Sequence, residues 1–311
     1  METTARAGAT QAPAAGPTVL GWFEPGTPKW HAARAQGIGG SEIAAVLGLS
    51  PYESRFSLWH RKKGLITPAD ENPVMYWGTA LEPVICTEFA KQHPEWLVHD
   101  APTYAAAGRP WQIANPDRLL FHPGNDNDEP AELLEAKTAR DDAGWGEEGT
   151  DEIPVYYRAQ CLHYLDVLGL RRCHVPVLIG GSDYREYVVD YDPADALMQR
   201  QAGADFMRSL AADERPSIDG HSATYQAVRE IPEGLDPVDV EIPTALRDRF
   251  HAAQDAFWAA EDELTACKSE LLDHIGTGQR AVCERERVAT RTVRDGRTYS
   301  LMPARTRRNA R

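Results

Sequence analysis

Two short apolar runs joined by a dense turn signal constrain this chain more than any other stretch. Ala131-Glu132-Leu133-Leu134-Glu135-Ala136-Lys137-Thr138 reads as a strand and Asn115-Pro116-Asp117 as part of another. Pro123-Gly124-Asn125-Asp126-Asn127-Asp128-Glu129-Pro130 between them reads as a hairpin loop. Such a hairpin sets Asp117 and Glu135 opposite each other on neighbouring strands. Because strand side chains alternate, Glu135 and Lys137 share a face and Ala136 takes the other. Two carboxylates and an ammonium then converge. Hard divalent cations such as Mg²⁺ favour that oxygen environment, and a lysine beside them can orient or help deprotonate an attacking water.

At 311 residues the chain can bury a sizeable core, and one domain of about 200 residues with an appendage is the simplest partition. No run approaches the roughly 18 apolar residues that a membrane helix needs. The N-terminus has neither a basic start nor an apolar core, so no signal peptide is expected and a cytoplasmic location is. Five cysteines, Cys86, Cys161, Cys173, Cys267 and Cys283, are too scattered for a zinc or iron–sulfur site and read as reduced thiols, mostly buried. A formal net charge of −14 argues against a protein that coats DNA nonspecifically, since that binding is driven by phosphate neutralisation. A locally basic channel remains compatible with it. Charge is unevenly placed: residues 280–311 carry ten arginines against three acidic residues.

Residues 1–18 are rich in Ala, Thr, Gly and Pro and are expected to be disordered. Trp30, Ala33 and Arg34 read as a short helix. Gly37-Ile38-Gly39-Gly40-Ser41-Glu42 reads as a glycine-rich turn with Ser41 capping the helix Ile43-Ala44-Ala45-Val46-Leu47. That is either an anion site or no more than a capped helix. Ser57–Gly64 supplies another helix, whose Arg61, Lys62 and Lys63 either touch phosphates or complement the helix dipole. A helix over Trp77–Ala90 places Leu81, Val84, Ile85 and Phe89 on one face and Glu82 near its start, where by itself it reads first as a solvated first-turn glutamate. Trp96–Ala105 reads as a strand and 141–149 as a loop. Pro154–Gly169 reads as a helix with Tyr157, Gln160 and Tyr164 on one face. Strands at His174–Ile179 and Tyr184–Tyr191 and a helix over 193–212 close an α/β domain. Residues 213–243 look like a linker. Thr244–Ile275 has the periodicity of one long helix or a helical hairpin, Arg280–Leu301 reads as a two-stranded hairpin turning at Asp295-Gly296, and an arginine-rich tail follows.

These residues together resemble a family. Arg34, Gly37-Ile38-Gly39-Gly40-Ser41, Ser50-Pro51-Tyr52, Leu58-Trp59, Gly78-Thr79-Ala80-Leu81-Glu82-Pro83, Pro116-Asp117, Glu135-Ala136-Lys137 and Tyr157–Leu165 resemble the YqaJ-like viral recombinases, which group with the phage lambda exonucleases in the PD-(D/E)xK nuclease superfamily. The resemblance runs over roughly 28–215. It implies a restriction-endonuclease-like core, a mixed central sheet flanked by helices, with a helical plus β-hairpin C-terminal appendage. The corresponding partition is a nuclease domain at 19–215, a linker at 216–243 and a C-terminal region at 244–311.

The resemblance also implies roles. Glu82, Asp117, Glu135 and the Ala136 carbonyl would hold two Mg²⁺ ions, with Mn²⁺ as a substitute. Lys137 would orient or activate water, Gln160 would lie by the scissile phosphate, and Arg34 and Ser41 would form a pocket for a 5′-phosphate. The implied activity is 5′→3′ digestion of double-stranded DNA from a 5′-phosphorylated end, yielding single strands for recombination. Lambda-type members are ring trimers, so a homo-oligomer is implied, and a RecT-type single-strand-annealing protein is an implied partner. Two other readings keep the same residues: a structure-specific endonuclease or nickase, and a catalytically silent protein that binds DNA ends.

Overall fold

The computed structural model describes residues 16–23, 26–67, 72–124, 129–231, 234 and 236–304. Most of the expected disordered segment, the tip of the hairpin loop at 125–128 and the arginine-rich tail from 305 lie outside the described residues. The chain divides into two compact units, residues 1–233 and 234–311.

The first unit runs β1 (Thr18–Gly21), α1 (Pro28–Ala35), β2 (Ile38–Gly39), α2 (Gly40–Val46), α3 (Arg55–Lys62), α4 (Pro73–Gln92), β3 (Leu97–Asp100), β4 (Thr103–Ala106), β5 (Arg109–Ala114), β6 (Arg118–Phe121), β7 (Glu132–Leu134), β8 (Lys137–Ala139), α5 (Val155–Leu168), β9 (Arg172–Ile179), β10 (Asp183–Asp190), α6 (Pro193–Ala211) and α7 (Ser222–Glu230). Its larger sheet has the order β10-β9-β7-β6-β3, with β8 continuing beside β9. The pairings of β7 and β8 with β9 are parallel and the rest antiparallel. A smaller sheet has the order β1-β4-β5-β2. Alternation along the strands divides the core into two layers. Leu119, Leu133, Cys173, Val175 and Val177 pack with Cys161, Leu162 and Leu165 of α5, whereas Leu120, Leu134 and Leu178 pack with Ile85, Cys86 and Phe89 of α4. Helices therefore cover both faces of a mixed sheet, the α/β architecture expected.

Several local expectations need correction. The single strand expected over Trp96–Ala105 is two strands in different sheets, because Pro102 between them has no N–H to continue a ladder. Asn115-Pro116-Asp117 is a connector between β5 and β6, held by the Asn115 side chain on the Thr103 hydroxyl. The strand expected over 131–138 breaks at Glu135-Ala136, yet its register on β9 is the same on both sides of the break, with Leu134 opposite His174 and Lys137 opposite Val177. The residue that would stand opposite Ala136 is Pro176, a proline inside β9, which offers no donor at that rung.

The helix expected from Trp77 starts at Pro73, with the Asn72 side chain accepting from the N–H groups of Val74 and Met75. Glu82 therefore sits in mid-helix directly before Pro83 and not in a first turn. Val84 leaves the apolar face and is 59% exposed. The cap of α2 is Gly39, not Ser41. Glu42 folds back to accept the Gly39 N–H at 2.8 Å, which satisfies one of the helix's orphan donors. Within the expected linker, α7 packs against α3. Its cap residue His221 bonds the Ser50 carbonyl at 3.0 Å, and Thr224 donates to Ser54 Oγ at 2.6 Å.

The second unit consists of α8 (Thr244–Ile275), a single helix, and the strands β11 (Arg280–Cys283), β12 (Glu286–Arg294) and β13 (Arg297–Pro303) in one antiparallel sheet. The expected hairpin at Asp295-Gly296 is present, but a second turn at Glu284-Arg285 adds a third strand. Among the described residues no helix is long and apolar enough to cross a membrane.

Candidate active site

The register of β6 against β7 pairs Arg118 with Leu134, so the next position outward sets Asp117 against Glu135. Asp117 Oδ2 accepts the Ala136 N–H at 2.8 Å, and Glu135 is anchored through its own N–H to the His174 carbonyl at 2.9 Å. Glu135 is 2% exposed. Its Oε1 accepts from Lys137 Nζ at 2.7 Å and from Gln160 Nε2 at 2.5 Å. Its Oε2 is buried without a hydrogen-bond partner. Helix α5 supplies the wall opposite: the Lys137 ammonium lies 4.9 Å from the Tyr157 ring centroid, and Gln160 Nε2 is 3.2 Å from the Tyr164 hydroxyl. Asp117, Glu135, Lys137 and Gln160 are thus brought together.

The electrostatics follow from burial and crowding. Burial, then the Glu135 and Glu82 carboxylates, hold the Asp117 carboxyl well above its ordinary value. Burial also raises Glu135, against the pull of Lys137. Burial alone would lower Lys137, but Glu135 and Asp117 outweigh it and keep the ammonium protonated beyond the ordinary lysine range. Glu82 stands close enough to act on both carboxyls but is tied to Arg118 Nη1 at 2.9 Å, and Arg118 also reaches Asp100 at 3.1 Å. The sequence reading missed this counter-cation.

Among the described residues no group of three or more His, Cys, Asp or Glu side chains stands ready to hold a metal ion. The donor set nevertheless fits a hard divalent cation. It offers carboxylate oxygens, one of them buried and unpartnered, whose mutual repulsion a cation would relieve. Mg²⁺ is commonly held by one or two carboxylates, with water and substrate phosphate completing its shell.

Arg34 and Ser41 also meet. Arg34 Nη2 donates to Ser41 Oγ at 2.7 Å, and the guanidinium lies 4.5 Å from the Trp30 ring centroid. This pair is joined to the carboxylate site through Tyr164, whose ring lies 2.3 Å from where a Cβ on Gly40 would stand. Gly40→Ala is therefore expected to cost about 1–3 kcal/mol through overpacking, measured by denaturant unfolding. An unchanged midpoint would show that Tyr164 can move aside.

Beneath the pair lies a network with no signature in the sequence. Glu42, 3% exposed, accepts from Lys62 Nζ at 2.8 Å and Arg61 Nη2 at 2.9 Å. Arg61 also binds Glu53 at 2.8 Å, Lys62 donates to the Arg34 carbonyl at 2.8 Å, and Lys63 pairs with Asp213 at 2.8 Å. Arg61 and Lys62 lie in the last turn of α3, where the dipole reading put them, but they are tied to Glu42 and Glu53 and not left solvated, while Lys63 is engaged at the surface by Asp213. Burial would raise the Glu42 carboxyl, but Lys62, Arg34 and Arg61 bring it down to about 2. Lys62 itself is pulled below the ordinary lysine value by burial despite Glu42. The favourable charge balance of the network therefore rests on the glutamate, which three cations surround.

Residues 29–171, which carry Arg34, Ser41, Glu42, Glu82, Asp117, Glu135, Lys137 and Gln160, match the family of the YqaJ-like viral recombinase domain. This stretch is similar to the YqaJ-like viral recombinase domain. The chain is 29% identical over 208 residues to the uncharacterized protein YqaJ of Bacillus subtilis (strain 168), covering 65% of this chain and 62% of that protein, under two thirds of its length. In fold the chain is similar to an alkaline exonuclease from Laribacter hongkongensis (18% identity, TM-score 0.47, 60% of this chain and 94% of that one). It is also similar to a phage-related exonuclease from Haemophilus somnus 129PT (9% identity, TM-score 0.42, 57% and 96%).

Proposed function

We propose that the YqaJ-like domain is a divalent-metal-dependent DNA exonuclease that digests the 5′-terminated strand of a duplex from its end and leaves single strands for recombination. The observation that carries this reading is the convergence of Asp117, Glu135 with its unpartnered Oε2, Lys137 and Gln160 at one end of the hairpin. Asp117, Glu135 and the Ala136 carbonyl would hold the cation. Glu82 joins them only by exchanging Arg118 for it. Bound Mg²⁺, or Mn²⁺ in its place, would make water a better nucleophile and stabilise the departing 3′-oxyanion.

The chain's own groups do the rest. Lys137, whose ammonium is favoured by Glu135 and Asp117, would orient the attacking water and offset charge developing on the phosphate. Gln160 holds Glu135 in place and faces the phosphate. Arg34, backed by Trp30, and Ser41 take the terminal 5′-phosphate, for which a planar guanidinium suits bidentate binding. A RecT-type annealing protein would receive the single strand.

Lys137→Met is expected to slow single-turnover cleavage about a hundredfold while changing Mn²⁺ affinity little in a calorimetric titration. A variant of undiminished rate would remove Lys137 from the mechanism. The test of the whole reading is a duplex with a 5′-phosphate at one end and a 5′-hydroxyl at the other. Loss of the strand that begins at the phosphate, and loss of that preference in Arg34→Ala, is the expected result. Equal attack from both ends would remove the phosphate pocket.

A further inference from the structure

The second unit carries a long helix whose apolar stripe is left exposed. The 32 residues of α8 span about 48 Å, and none of them is buried. Phe250 and Phe257 are 59% and 65% exposed, and Leu264 is 54% exposed. An amphipathic helix of this kind gains most of its stability from packing its apolar stripe.

The stripe has a defined period. Leu246, Phe250, Ala253, Phe257, Ala260 and Leu264 recur at alternating spacings of four and three, the 3.5-residue repeat of a two-helix seam rather than the 3.6-residue repeat of a helix lying on a globular core. The repeat also alternates in volume. The positions of one set are Phe250, Phe257 and Leu264, while Leu246, Ala253 and Ala260 fall in the other, so large and small alternate between Phe250 and Ala260. In a parallel pair each layer joins like positions, so Phe would meet Phe and Ala would meet Ala. In an antiparallel pair each layer joins unlike positions, so that Phe meets Ala in the four inner layers and Leu meets Leu at the two ends.

We propose that α8 pairs antiparallel with α8 of a second copy of this chain, with Phe250 against Ala260, Ala253 against Phe257 and Leu246 against Leu264 of the other copy. Charge selects this register. It sets Arg247 beside Glu261 and Arg249 beside Glu263 of the other helix, each twice by symmetry, and brings no like charges together along the seam flanks. A shift of one heptad toward the C-terminus would put Arg247 against Lys268, and an in-register parallel pair would leave both arginines without an acid. Within one chain Arg247 is paired with its neighbour Asp248, at 2.7 Å and largely exposed, a contact weak enough to be exchanged. The antiparallel arrangement also opposes the two helix dipoles.

The proposed register places Gln254 of one copy beside Gln254 of the other. The test uses the full chain with the exposed Cys267 and Cys283 changed to serine and Gln254→Cys introduced. Mild oxidation at micromolar concentration is expected to give a disulfide-linked dimer. Adding Arg247→Glu and Arg249→Glu should weaken association by roughly tenfold or more. Adding Glu261→Arg and Glu263→Arg as well should restore it, because the swapped charges again match. Thermal melting of each variant establishes that the chain is folded. The proposal is overturned by no cross-link at Gln254→Cys, by a cross-link indifferent to charge reversal, or by a monomeric wild type in sedimentation, which would give the seam to a different protein.

Discussion

Glu135→Gln is expected to lower hydrolysis by about a thousandfold or more while leaving thermal stability unchanged or raised. The two effects separate because the carboxylate is badly placed for folding. It is buried, raised above its ordinary value, repelled by Asp117 and Glu82, and left with one oxygen unpartnered. An isosteric amide removes that charge but still accepts from Lys137 and Gln160. It would also remove a proposed metal ligand, so Mn²⁺ affinity should fall together with activity. Single-turnover kinetics, calorimetric titration and melting measure the three quantities. A variant that loses activity only because it unfolds would make Glu135 a structural residue, contrary to the role assigned here.

The largest expected effect on stability lies elsewhere, at Glu42. Glu42→Gln leaves Arg61 and Lys62 facing a neutral amide in a buried setting. Breaking one side of such a network costs about 3–5 kcal/mol, or a melting temperature lower by roughly 10 °C for a unit of this size. The pH dependence has a defined sign. The folded carboxyl sits at about 2, below its ordinary 4.5, so the unfolded chain binds the proton more readily. This contribution is fully present above pH 4.5 and is lost as pH falls toward 2. Wild type should therefore lose its advantage over the variant across that window, as measured by unfolding at a series of pH values. An advantage that stayed constant through the acid range would mean that Glu42 is not the titrating anchor. Because Lys62 also holds the Arg34 carbonyl, a weakened network should in addition reduce discrimination for the 5′-phosphate.

The parts of the fold legible in the sequence are those fixed locally. The hairpin joining β6 and β7 is announced by its loop residues, and it is enough to set Asp117 against Glu135. Helix α5 is framed by Pro154 and by Gly169, whose φ of 72° needs glycine. The helix signal Asn72-Pro73 is equally local, and it places Glu82 in the middle of α4, whereas a start at Trp77 places it in the first turn.

What was not legible depends on distant partners. The break at Glu135-Ala136 answers to Pro176 on a strand far along the chain. The fate of Arg61, Lys62 and Lys63 depends on Glu42, Glu53 and Asp213, which no spacing rule connects. The turn at Glu284-Arg285 uses positive φ at two residues other than glycine, 48° and 73°, so the usual Asn-Gly cue for a third strand is missing. Helix α7 reads as linker because its hold on α3 comes from single polar contacts and not from a long apolar face. For the candidate site, the charged trio and Gln160 were visible as residue types. The Arg118 that pairs with Glu82, the Tyr157 ring over Lys137 and the Tyr164 wedge at Gly40 emerge only from the packing.

The central claim is that the group around Asp117 and Glu135 cuts DNA from its ends. Its most direct test is digestion with Mg²⁺ of a linear duplex beside a covalently closed circle, by wild type and by Glu135→Gln. The account predicts that wild type consumes the linear DNA, leaves the circle intact and loses activity with the substitution. Nicking of the circle, or digestion that survives Glu135→Gln, would contradict it.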